Sequence, residues 1–277
     1  CGSRALAFFE RAYIVVRGGG DLASGAIYRL VQAGFPVIVL ELAAPLLVRR
    51  AVCFGDGVYS GTRTVEGVPS RLVADLDVIP LVLAAGEVPV LIDPRGAAIQ
   101  ALKPAVVIDA RMEKRNLDTT IEVAPLVIAL GPGFTAGKDC HVVIETNRGH
   151  NLGRVMRTGG AEPDTGVPGN IMSKTHTRVL RAPADGHIEA QYGIGDVIQE
   201  GQVIATVNGV PITAAFTGML RGLMHARVEV RAGMKVGDLD PRVKLDHCFT
   251  LSDKSLAVGG GVLEAVLSAS VVRAALR

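Results

Sequence analysis

Up to about residue 150, short β-branched runs alternate with stretches of helical apolar spacing. Residues 13–17, 37–40, 88–93, 106–111, 126–130 and 142–146 read as strands covered on both faces, since apolar residues follow one another without a polar alternate. Between the first two, Ala23, Ile27, Leu30 and Val31 share one helical face and Gly34 ends it. Residues 75–85 read as a buried helix stopped by Gly86, 64–68 as a short strand or hairpin, and a short helix ends near Leu102. This alternation predicts the α/β class, a Rossmann-like doubly wound parallel sheet.

The rhythm changes after Thr177. Residues 177–239 carry short β runs with turns every few positions, and Asn208-Gly209 is a strong hairpin signal, so a small all-β module is predicted. From Ser252 to about Ala275, Leu256, Val262, Leu263, Val266 and Leu267 define an apolar face. They predict a C-terminal helix, capped by Ser252 and packed back on the sheet. Gly259-Gly260-Gly261 costs such a helix roughly 1 kcal/mol per residue, which predicts close packing or a break there. The implied units are 1–170, 171–250 and 251–277, with the Gly- and Pro-rich stretch 159–169 as a crossover.

Composition narrows the function classes. A chain of 277 residues with a formal charge of only +2 has neither a nucleic-acid surface nor an acidic tail. No run of about 18 apolar residues predicts a membrane span. The first residue is Cys1 rather than Met, which leaves the true start undefined, and residues 1–12 lack a long apolar signal core. Cys1, Cys53, Cys140 and Cys248 are far apart and predict neither a zinc site nor a disulfide framework, so a reducing cytoplasm is expected.

Candidate chemistry concentrates in loops that follow strands. Gly18-Gly19-Gly20-Asp21-Leu22-Ala23 joins the first strand to the first helix, and Gly18, Gly20 and Ala23 fit G-x-G-x-x-G/A. Glu41 lies about 20 residues on, where a carboxylate can bond a ribose hydroxyl. Backbone N–H groups and the helix dipole would hold a pyrophosphate there; the alternative is a structural turn alone. Arg49 and Arg50 either fork onto an anionic ligand or are solvated. Cys53, just beyond them, is either a thiol activated by nearby cations or a small buried residue. Asp93 and Asp109 close strands on the ligand edge or cap the turns that follow. A second glycine loop, with Gly131, Gly133 and Phe134, is placed to face the first across the crevice, and Arg148 and His150 sit in a polar turn expected to contact ligand.

Two resemblances follow from these residues. Ala182-Pro183 through Gly186, with Gly195-Asp196 and Gly201-Gln202, resembles the biotinyl/lipoyl hammerhead. That family carries its cofactor on a tip Lys. Asn208-Gly209 stands at the tip here, so a barrel-sandwich scaffold or docking module without covalent biotin or lipoate is expected. Over nearly the whole chain, Arg17-Gly18-Gly19-Gly20-Asp21-Leu22-Ala23, Gly131-Pro132-Gly133-Phe134, Glu145-Thr146-Asn147-Arg148-Gly149-His150, Arg221-Gly222-Leu223, Gly237-Asp238-Leu239-Asp240-Pro241-Arg242 and Ser252-Asp253-Lys254 are similar to the signature blocks of the YqeB family. These are accessory proteins of the selenium-dependent molybdenum hydroxylase system; the Rossmann-like part also resembles the XdhC-type chaperones. The resemblance implies a cytoplasmic accessory or maturation protein that binds molybdopterin cytosine dinucleotide, or another nucleotide, or helps selenium insertion. Implied partners are a molybdenum hydroxylase or other maturation proteins; a homo-oligomer is left open. An NAD(P)-dependent oxidoreductase and a nonenzymatic scaffold are the alternatives.

Overall fold

A computed structural model describes residues 12–164 and 177–275. Part of the predicted crossover, 165–169, lies outside the described residues. The first half contains β1 (Ile14–Arg17), α1 (Asp21–Gln32), β2 (Val37–Glu41), α2 (Gly57–Ser60), β3 (Thr62–Val65), β4 (Val68–Val73), α3 (Ile79–Ala84), β5 (Val88–Ile92), α4 (Ala98–Leu102), β6 (Val106–Asp109), β7 (Leu126–Leu130), β8 (Val142–Ile144) and β9 (Val155–Met156). They form one nine-stranded sheet in the order β3-β4-β5-β2-β1-β6-β7-β8-β9. The seven inner strands are parallel, and β3 and β9 are antiparallel edges.

The reason for the continuous apolar runs is visible in the layers. One sheet face packs Ile14, Val16 and Ile108 against Ile27 and Leu30 of α1, and the other packs Val15 and Val107 among Ile79, Val82 and Ile99 of α3 and α4. Every residue of β1, β2, β6 and β7 is buried. The helix expected at 75–85 is shorter, because Asp75 caps the turn before it, accepting from the N–H groups of Asp77 and Val78, and Leu81 faces solvent. From β1 the chain crosses to β2 on one side, while β6 pairs with β1 on the other. The strand order therefore reverses between β1 and β6, which opens a crevice at their carboxyl ends.

The second half contains β10 (Val179–Arg181), β11 (Gly186–Ala190), β12 (Val197–Ile198), β13 (Val203–Val207), β14 (Val210–Thr213), β15 (Gly218–Leu223), β16 (Glu229–Val230) and β17 (Lys235–Asp240). Two four-stranded antiparallel sheets, β10-β17-β15-β12 and β14-β13-β11-β16, enclose a separate apolar core. Asn208 and Gly209 join β13 to β14 with φ of 51° and 74°, the left-handed pair that a tight hairpin needs. All six residues of β15 are buried, because its outer side lies on the segment after β2: a Cβ on Gly222 would stand 2.7 Å from the Val48 carbonyl oxygen.

After α5 (Asp246–Phe249) come α6 (Asp253–Ser268) and α7 (Ser270–Ala275). The Ser252 hydroxyl accepts from the Ser255 N–H, so the expected cap is present. The single helix expected to Ala275 is interrupted at Ala269, whose backbone is extended. No break occurs at the three glycines; they allow close approach. A Cβ on Gly259 would lie 2.3 Å from the Gly25 oxygen of α1, and one on Gly261 2.1 Å from the Gly153 oxygen, whereas Gly260 faces open space. Gly259→Ala is therefore expected to lower stability by about 1–3 kcal/mol through overpacking. Gly260→Ala should raise it by up to about 1 kcal/mol through helix propensity. Urea midpoints of the two variants test this, and a neutral Gly259→Ala would contradict the close approach.

Candidate functional site

A cavity of about 1580 Å³ lies at the reversal between β1 and β6. Its floor is the carboxyl ends of β1, β2 and β6 with the first turn of α1; its far side comes from β15, β17 and the start of α6. Eleven Arg and Lys line it against eight Asp and Glu. The chain as a whole has a charge of only +2, so its positive excess is concentrated at this cavity.

The three glycines do different work. Gly18 has φ of 93°, and its N–H donates to the Leu40 carbonyl at 2.8 Å. Gly19 is crowded instead: a Cβ would meet Gly55 N at 2.6 Å. Gly20 has φ of −74°, open to any residue, so of the three glycines only Gly18 takes a positive φ. A Cβ on Gly20 would meet only Leu47 Cδ2, at 3.7 Å, on the cavity side. The helix starts at Asp21, and its first-turn N–H groups, at Asp21, Leu22 and Ala23, have no intrahelical acceptor.

Glu41 lines the cavity, but its carboxylate serves the turn. Oε2 accepts from Gly19 N–H at 2.7 Å and Oε1 from Leu42 N–H at 2.8 Å. Burial still pushes its pKa above the ordinary carboxylate value, against those two bonds. The first correction to the sequence expectation is therefore one of role: Glu41 ties down the glycine turn.

The arginine pair divides. Arg49 is buried at the cavity; Nη1 chelates both Asp21 oxygens at 3.0 and 2.9 Å, and Nη2 donates to the carbonyls of His247 and Thr250. Its fork holds protein groups together, while its buried Nε has no hydrogen-bond partner among the described residues. Arg50 turns away and donates to the Leu223 carbonyl. Arg148 lines the cavity and forks onto Asp253. His150 is exposed and outside the cavity wall. The second glycine loop reaches the cavity through Pro132, not through Gly131, Gly133 or Phe134. Phe134 is buried in the sheet core, and Gly133 makes room for the Arg115 backbone, 2.4 Å from where a Cβ would be. Of the expected residues, Gly18, Gly20, Asp21, Leu22, Ala23, Glu41, Arg49 and Arg148 share the cavity, and Gly19 supports it from behind.

The strand-closing acids are caps. Asp93 accepts from Ala98 N–H, and Asp109 from Arg111 and the Thr119 hydroxyl. Beside them Arg17 and Arg111 grip Asp118, and the Arg17 hydrogen bond leads in holding that carboxyl at about 2. Arg17 escaped notice in the sequence because it closes a buried strand. Arg221, Lys235, Arg242 and Lys254 were also missed as site residues, although the blocks around Arg221, Arg242 and Lys254 carry the family resemblance. Burial, then the neighbouring Arg49, lowers Arg221; burial leads at both lysines, including Lys235, which remains exposed as a residue. Among the described residues no His, Cys, Asp and Glu cluster suits a metal ion, and no helix is long and apolar enough to cross a membrane.

The chain is thus a mixed α/β protein with a large, mainly parallel sheet, separate antiparallel sheets and a cationic cavity between them. Over 254 residues it is 49% identical to the uncharacterized protein YqeB of Escherichia coli (strain K12), a match that covers 92% of this chain and 47% of that protein. This similarity supports the YqeB family, although the chain spans about half the length of the curated relative it matches. No protein-family model matches. Solved structures show faint likeness: an aspartoacylase family protein from Mesorhizobium loti (14% identity, TM-score 0.24, 77% of this chain and 59% of that one), and a succinylglutamate desuccinylase/aspartoacylase from Rhodobacter sphaeroides (11%, TM-score 0.25, 82% and 84%). TM-scores this low carry no weight for fold or activity.

Cys53 lines the cavity but is buried, and its thiol donates to the Arg49 carbonyl at 3.2 Å. Burial, aided by Asp21, raises its pKa well above the ordinary 9.0, outweighing Arg49. Of the two readings of Cys53, this geometry supports the small buried residue. Because the folded pKa is raised, thiolate should stay scarce as pH climbs through the range where a free thiol ionises. Alkylation of native Cys53 by iodoacetamide, followed by peptide mass, should remain slow and nearly flat up to about pH 9. Rapid labelling near neutrality would contradict this burial.

Proposed function

We propose that this chain acts as an accessory protein in the maturation of selenium-dependent molybdenum hydroxylases, holding a dinucleotide-type molybdenum cofactor as cargo. The observation that carries this is the opening of the α1 first turn into a large cavity with excess positive charge, at a strand-order reversal. A cavity of about 1580 Å³ exceeds the range of roughly 300–1,000 Å³ usual for drug-sized ligands and suits a pterin dinucleotide. In this reading residues 1–170 are a Rossmann-like nucleotide-binding unit. Residues 171–250 are a hammerhead-like barrel-sandwich that serves as the docking wall, and 251–277 pack back on the first unit. Gly20 and the N–H groups of Asp21 to Ala23 would receive the pyrophosphate, and Arg148 would balance its charge. Molybdenum supplies oxygen-transfer chemistry only in the hydroxylase that receives the cargo; this chain binds, orients and releases it. The partner is that hydroxylase or another maturation protein, in the cytoplasm. An oxidoreductase needs a proton donor beside its ligand, and His150, expected to contact ligand, is exposed outside the cavity.

Calorimetry with molybdopterin cytosine dinucleotide, its mononucleotide form and NAD tests the proposal. The dinucleotide should bind most tightly. Gly20→Val should abolish that binding while the fold persists, since Gly20 has an ordinary φ and room for a side chain. Unchanged affinity in Gly20→Val would move the site elsewhere, and tight NAD binding without pterin binding would favour the oxidoreductase. Glu41→Ala leaves the Gly19 N–H without its acceptor, a cost of about 1–3 kcal/mol to the turn. It should weaken ligands with and without a ribose alike; loss confined to ribose-bearing ligands would restore the direct role.

A further inference from the structure

The cavity wall made by the antiparallel sheets and α6 carries positive charge that the protein itself leaves poorly answered. Arg221 comes from β15, Lys235 from the start of β17 and Lys254 from the first turn of α6, and all three line the cavity. Arg221 is buried and donates through Nε to the His247 carbonyl. Its nearest carboxylates, Asp238 and Asp240, stand off at 3.7 and 3.8 Å. Each is held more closely by another arginine, Asp238 by Arg178 and Asp240 by Arg242. Among the described residues, neither the Lys235 nor the Lys254 ammonium has an ion pair or hydrogen bond.

Asp21 attracts all three cations through space, yet both of its oxygens are already chelated by Arg49. Like charges face one another here: Arg49 disfavours the charge on Arg221, and Arg148 and Lys235 disfavour that on Lys254. Cations gathered around carboxylates that other arginines already hold, in a partly desolvated cavity, weaken the fold, and such groupings cluster at binding sites. Two point-charge ammonium groups beside one planar fork suit a compact oxyanion rather than a planar aromatic ligand.

We propose that Arg221, Lys235 and Lys254 form a binding site for a tetrahedral phosphate dianion, either free phosphate or the end of a phosphate monoester. None of the three belongs to the glycine turn, so the site does not depend on the dinucleotide reading. A dianion would neutralise most of the local excess and favour the charged form of both lysines. The other groups facing Lys254 are Arg148, Asp21 and Glu145; those facing Lys235 are Asp238, Arg178, Asp21 and Arg181. Burial holds the pKa of both lysines below the ordinary 10.5, so a bound dianion would favour proton uptake by them.

Titration calorimetry of the full chain in alkaline buffers of differing ionisation heat is the test. Inorganic phosphate and cytidine 5′-monophosphate are the two phosphate arms, and malonate is the planar-carboxylate control. Wild type should bind at least one phosphate arm with net proton uptake, and the tighter arm identifies the source. The double variant Lys235→Gln, Lys254→Gln should bind roughly tenfold or more weakly and lose the uptake. Lys235→Arg with Lys254→Arg should keep the affinity, and Gly20→Val should keep both affinity and uptake for inorganic phosphate. The site is overturned if the glutamine variant binds as wild type does, or if malonate binds as well as phosphate. Phosphate binding that fails in Gly20→Val but survives in the glutamine variant would leave the glycine turn as the anion site and remove this one.

Discussion

The organisation of this protein depends on how closely α6 lies on α1. A Cβ on Gly25 would come within 2.1 Å of the Ser255 oxygen, and one on Gly259 within 2.3 Å of the Gly25 oxygen, so two helix backbones touch where side chains would hold them apart. The Ser255 hydroxyl then donates to the Asp21 carbonyl at 2.6 Å. Through these contacts the start of α6 is set beside the start of α1. Asp253 and Lys254 follow from that placement, since they reach the cavity because α6 begins there, and Asp253 takes the Arg148 fork. Helix propensity alone would disfavour Gly259 to Gly261; packing reverses the preference.

Arg49 carries the same logic into the charged part of the molecule. One guanidinium joins Asp21 of α1 to two carbonyls at and beyond α5, across nearly the whole sequence. Buried ion pairs add little net stability, because desolvation offsets the attraction. What this one adds is register: it fixes the start of α1 against the segment that follows the antiparallel sheets. Glu41 acts in parallel from beneath, where two backbone N–H groups hold it despite burial.

Sequence patterns revealed those parts whose cause is local. Strands buried on both faces announce themselves as unbroken apolar runs, and Asn208-Gly209 specifies its own hairpin. Glycine roles were less legible: Gly18, Gly19 and Gly20 look alike in sequence, but one takes a left-handed φ, one avoids a neighbouring strand of backbone and one lines open space. Gly131 and Gly133 resembled a second ligand loop, whereas Gly133 is small because Arg115 passes beside it. Arg49 and Arg50 are adjacent yet point to different partners. The meeting of Arg221, Lys235 and Lys254 is a product of tertiary topology, which no spacing along the chain encodes.

The hydrogen bond between Ser255 and Asp21 spans 234 residues, and that separation has a meaning for synthesis on the ribosome. The glycine turn emerges early, with its helix still lacking the surface that steadies it. That surface appears only when residues 253–268 leave the exit tunnel, so the cavity is incomplete until then. Contacts of such long range also slow folding, because the loop must close before the contact is gained. Completion of the cavity is therefore tied to synthesis of the stretch that ends with α6.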